Sequence, residues 1–133
     1  MANAVYNKAK EAFLAADIDL DASVVKCVMV TSSYTYSAAH QYLSDVAGGA
    51  RVATSSGFTN KTLTNGTFDA DDVTYTTPAS GSTVTGLVLF VDTGVEGTSR
   101  LICYLDTATG LPLTTNGGNI QIAWNASGIL VLS

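Results

Sequence analysis

Residues 98–124 read TSRLICYLDTATGLPLTTNGGNIQIAW, and this stretch decides the fold. Leu101, Cys103 and Leu105 fall on one side of a two-residue period, Ile102 and Tyr104 on the other. An extended segment here is therefore apolar on both faces. Ile120, Ile122 and Trp124 then alternate with Gln121 and Ala123, the pattern of a half-buried strand. Gly110, Pro112 and Asn116-Gly117-Gly118 break the chain between them. The stretch reads as strand, loop, strand, and none of its residues has a catalytic cast.

Working outward, residues 84–91 form the most apolar run, and Asp92-Thr93-Gly94 turns the chain after it. Upstream, from Arg51, the composition shifts to Thr, Ser, Gly and Asn with spaced apolar positions. This predicts strands near 51–56, 60–64 and 73–77. Asn65-Gly66 between Leu63 and Phe68 is a specific hairpin signal. Residues 24–30 are β-branched and nearly continuously apolar, as in a strand covered on both faces. Residues 3–15 read as an N-terminal helix with Asn3 as N-cap, and residues 38–43 as a second short helix capped by Ser37. Ile129, Leu130, Val131 and Leu132 predict a last strand folded back beside residues 120–124. Roughly eight short strands at close spacing predict one mainly β domain over residues 1–133, with residues 1–16 as a helical N-terminal segment. The expected architecture is an antiparallel, jelly-roll-like β-sandwich.

Composition narrows the function classes. Charged residues make up 13% of the chain, well below the ~25% usual for a soluble domain. The surface must then be covered by small polar residues or by another subunit. The net charge of -5, with six scattered Lys and Arg, argues against a nucleic-acid backbone or an anionic membrane as partner. No apolar run approaches the ~20 residues of a membrane span, and residues 1–8 lack the basic-then-apolar order of a secretory signal. The Asn60, Asn65 and Asn125 glycosylation patterns therefore read as turn and strand residues. Cys27 and Cys103 sit in apolar runs and read as reduced, buried small hydrophobes; pairing would require neighbouring strands.

His40 is the one histidine, without a partner at the spacing of a hydrolytic triad, and it reads as structural. Asp17, Asp19 and Asp21 begin like an EF-hand loop, but Ala22 and Val28 stand where that loop needs Gly and Glu. Asp69, Asp71 and Asp72 read as turn acids. No catalytic, cofactor or metal residues are assigned. Interaction chemistry is what the sequence offers: Tyr34 and Tyr36 in a loop of small residues, and Tyr6 and Phe13 on the helix, are the interface candidates.

These residues carry a resemblance. Tyr6-Asn7-Lys8-Ala9-Lys10-Glu11 with Phe13-Leu14, then Ile18-Asp19-Leu20, resemble small structural proteins of tailed bacteriophages. The resemblance continues through residues 38–45, 50–53 and 68–73 and is densest over 101–124. It spans nearly the whole chain. It implies a non-enzymatic virion component, with a capsid cement (decoration) protein as the leading choice. That choice implies the major capsid protein as partner, assembly as a homotrimer, and location in the virion. A tail or head–tail connector component is the alternative inside the class. A ligand-binding β-sandwich using Trp124 or the tyrosines as stacking platforms is the alternative outside it, although its alternation with Ile120 and Ile122 places Trp124 in the core.

Overall fold

The three runs without a polar break become the centre of the main sheet. The computed structural model describes residues 4–106, 110–124 and 128–131. In chain order its elements are β1 (Ala4–Val5), α1 (Asn7–Leu14), β2 (Val25–Val30), β3 (Arg51–Thr54), β4 (Thr62–Thr64), β5 (Thr67–Asp69) and β6 (Val73–Tyr75). Then follow β7 (Thr83–Val84), β8 (Gly86–Val91), β9 (Leu101–Leu105), β10 (Leu113–Thr114), β11 (Ile120–Ile122) and β12 (Leu130–Val131). The main sheet has the order β1-β9-β8-β2-β3, antiparallel throughout. Leu87 to Phe90 and all of β9 are buried, so both faces are covered, as their unbroken hydrophobicity requires.

The remaining strands form short antiparallel ladders: β10 with β7, β11 with β6, and a three-stranded sheet β12-β5-β4. Phe68, Val73, Tyr75, Ile122 and Leu130 from these ladders share one hydrophobic cluster with Val25, Cys27 and Leu89 of the main sheet. The Tyr75 hydroxyl crosses between the layers and donates to the Cys27 carbonyl at 3.0 Å. The fold is mainly β and antiparallel, with its core between the main sheet and these ladders in a sandwich-like arrangement. The apolar run 84–91 serves both layers: Val84 pairs with Leu113, while Gly86 pairs with Val30. Asn65 and Gly66 take φ of 52° and 77° and join β4 to β5 by the two-residue turn their sequence predicts.

Four expectations are corrected. The N-terminal segment is not helical from residue 3: Ala4 and Val5 are extended and pair with Tyr104 and Cys103, closing the β9 edge. The helix starts at Asn7, whose N–H is taken by the Ala38 carbonyl at 2.9 Å rather than by a capping side chain. Asn3 lies outside the described residues. The second helix over 38–43 does not form. Ser37 to His40 is a turn, and Leu43–Asp45 is a single 3-10 turn. There Asp45 accepts the Gln41 and Tyr42 N–H groups, while Gln41 and Leu43 bond the backbone of Leu101 and Ser99. Those tertiary bonds draw the segment straight along β9, against its modest helix propensity. The strands expected at 51–56, 60–64 and 73–77 are shorter, the first ending where Ser55 turns inward to accept the Cys27 N–H. Finally, the last strand does not lie beside residues 120–124. β12 pairs with β5, Leu130 opposite Phe68, and β11 is taken by β6.

The register also answers the cysteine question. Cys27 and Cys103 both stand opposite Leu89, on either side of it. Two strand spacings put them roughly 9.5 Å apart, beyond the ~7 Å a disulfide spans. Both thiols are free and buried.

Candidate functional site

Among the described residues, no three His, Cys, Asp or Glu side chains converge to hold a metal. Asp19 accepts the N–H groups of Asp21 and Ala22, the geometry of a local turn. The Asp71 carboxylate accepts from Thr59 and Asn60, and Asp72 accepts the Trp124 N–H. Burial pushes the Cys27 thiol up to about 12 and the Cys103 thiol up as well, so neither is a ready thiolate.

The sequence-derived interface candidates divide. Tyr6 is fully buried and Tyr34 nearly so. The Tyr6 hydroxyl lies 2.7 Å from that of Tyr34, which in turn lies 2.9 Å from Nδ1 of His40. The Tyr36 ring packs 5.1 Å from Tyr6 and 5.6 Å from Tyr104. Burial raises the pKa of Tyr6, takes that of Tyr34 up to about 12, and raises those of Tyr36 and Tyr104. This cluster closes the core over β9, and Tyr6 and Tyr34 present no surface to a partner. Tyr36 and Phe13 are half-buried and do reach the surface. Trp124 is half-buried too, with its ring 5.4 Å from Phe58 and its Nε1 donating to the Asp71 carbonyl. Its polar tip is already satisfied.

Phe13 leads to the site the sequence did not single out. α1 ends in a tight turn: the Asp17 N–H bonds the Ala12 carbonyl at 2.8 Å and the Ala16 N–H that of Phe13 at 3.2 Å. This is a Schellman turn with Ala16 at φ 62°, where glycine is usual. It swings Ile18 and Leu20 back towards the β4–β5 hairpin. An open apolar groove of about 380 Å³ results, between Phe13, Ala16, Ile18 and Leu20 on one wall and Leu63 on the other. It continues into a pocket of about 170 Å³ over Phe68 and Leu130. Leu63 is 52% exposed, and Leu14, one residue beyond Phe13, is 91% exposed. Asp19 stands in the wall, and Lys61, two residues before Leu63, is tied to the Ser23 carbonyl. A clue was present in the sequence: Leu63 is a lone large aliphatic between two threonines in a hairpin arm, where a solvated strand would carry a polar residue.

Comparison with models of known protein families gives no match, and comparison with curated proteins gives none. No described helix is long and apolar enough to cross a membrane.

Proposed function

We propose that the chain is a structural component of a tailed-bacteriophage virion, and within that class a cement protein that binds the major capsid protein of the assembled head. The observation that carries the reading is an open apolar groove between half-buried Phe13 and exposed Leu63, with Leu14 exposed at the same helix end, on a chain with few charges. Apolar surface gathered at one place in this way is a common mark of a protein–protein contact. The likeness of residues 6–11, 13–14, 18–20, 38–45, 50–53, 68–73 and 101–124 to small phage structural proteins supplies the class. The protein acts by binding and not by catalysis. His40 is engaged by Tyr34, and both thiols are buried in the sheet. A homotrimer seated at a symmetric position on the shell fits the low charge density. The test is reconstitution. Heads assembled without this chain are mixed with the purified protein and heated. Saturable binding with a raised shell-rupture temperature supports the reading, and heads that neither bind nor change overturn it.

A further inference from the structure

We propose that the β4 edge and the groove beside it form a docking site for an extended, basic segment of a partner polypeptide, which adds to β4 as a strand and buries an aliphatic side chain against Leu63. The backbone supplies the first argument. Phe68 gives its carbonyl to the Ile129 N–H at 2.8 Å, on the β12 side. The Leu63–Phe68 pair is thus the non-hydrogen-bonded kind, consistent with a two-residue turn that makes Thr64–Thr67 the bonded pair. Leu63 therefore turns its N–H and C=O outward from the sheet. Among the described residues nothing bonds to either. Open to solvent, such an edge is a ready template for another extended backbone.

The groove supplies the second argument. It runs along that edge, walled by Phe13, Ile18 and Leu20, and has room for an aliphatic side chain. Charge supplies the third. Asp19 lines the groove, the Lys61 ammonium beside β4 is taken up by the Ser23 carbonyl, and the chain as a whole carries -5. A second copy would bring its own Asp19 and its own net negative charge to the same place, so like charges disfavour self-pairing and favour a partner segment with Lys or Arg. This names the surface through which the binding proposed above would act, and it rests on that reading only for the partner's identity.

The test uses a synthetic probe, the acetylated and amidated peptide Lys-Ile-Lys-Ile-Lys, titrated into the intact protein and followed by amide NMR and hydrogen exchange. The expected result is saturable change at Leu63, Leu20 and Phe13, with slowed exchange of the Leu63 N–H. Neither the Glu-Ile-Glu-Ile-Glu peptide nor a backbone N-methylated version should produce it. Leu63→Pro removes the outward N–H and the leucine side chain together, leaves the β4–β5 hydrogen bonds in place and should weaken binding by more than the roughly tenfold that one hydrogen bond is worth. Leu63→Thr keeps the N–H, removes the aliphatic contact without adding charge and should weaken binding too, and Val95→Thr, on an exposed residue elsewhere, should bind as the wild type does. No response at Leu63, an equal response to the control peptides, or a concentration-dependent Leu63 shift without peptide overturns the proposal. A chain that binds the peptide yet fails to bind heads overturns the function proposed above and leaves this surface standing. A chain that binds heads while its Leu63 N–H exchanges freely does the reverse.

Discussion

Tyr104 lies across Gly86, and this contact sets the spacing of the tyrosine cluster over the main sheet. A Cβ built on Gly86 would come 2.5 Å from the Tyr104 hydroxyl oxygen and 2.7 Å from its ring carbons. The ring has little room to retreat, because Tyr34 and Tyr36 pack 6.0 Å and 5.6 Å from it. Gly86→Ala should therefore destabilise the fold by roughly 1–3 kcal/mol, the usual cost of overpacking. Denaturant unfolding checks this; an unchanged midpoint would show that the ring moves freely. The same cluster fixes the alkaline limit. Burial raises the Tyr34 hydroxyl from its ordinary value near 10 to about 12, and raises Tyr6 as well. A group with a raised folded-state pKa holds its proton in the native state after the unfolded chain has lost it. Stability is then fully present below pH ~10 and falls as pH rises towards 12. Burial of the Cys27 and Cys103 thiols acts the same way from their ordinary value near 9, so melting temperatures should hold up to about pH 8.5 and fall beyond, more steeply above about pH 10. A protein equally stable at pH 11 would contradict the burial of these hydroxyls.

At the scale of elements, the last strand is the sharpest test. Ile129 and Leu130 are buried, and the Ile129 N–H bonds the Phe68 carbonyl. Losing two large aliphatic side chains costs about 3–6 kcal/mol, a large part of the ~5–15 kcal/mol that holds a small domain together. Deleting residues 129–133 should leave insoluble or unfolded protein. A soluble truncation with an unchanged melting temperature would show β12 to be dispensable. The elements also show what the sequence made legible. The doubly apolar runs at 24–30, 84–91 and 101–105 became the buried centre of the sheet, because nothing but a covered strand tolerates that pattern. The Asn65-Gly66 turn was equally readable, since both residues accept positive φ. Pairing partners were not readable. Residues 129–132 could complete any open edge, and nothing in their pattern says that Leu130 and Val131 pair with β5 while β11 pairs with β6. The segment 38–43 was misread as helix because its hydrogen bonds go to β9, far away in sequence. Tyr6 and Tyr34 looked like interface residues because a polar tip serves a surface and a buried hydroxyl pair equally well. Leu63 escaped notice because one aliphatic residue among threonines has no period.

For the whole molecule, few charges and an open apolar groove describe a protein that is stable alone but incompletely covered. If the subunits associate as proposed, light scattering at high concentration should give the mass of a trimer, three times 13.7 kDa; a monomer would rule that assembly out. The account's central claim, that this chain cements a phage head, is tested most directly by counting its copies in purified particles, with heads and tails separated, by quantitative mass spectrometry against the major capsid protein. The account predicts copies in fixed proportion to the capsid subunit, hundreds in each head. A dozen or fewer, confined to the tail or the connector, or none in the particle at all, would contradict it.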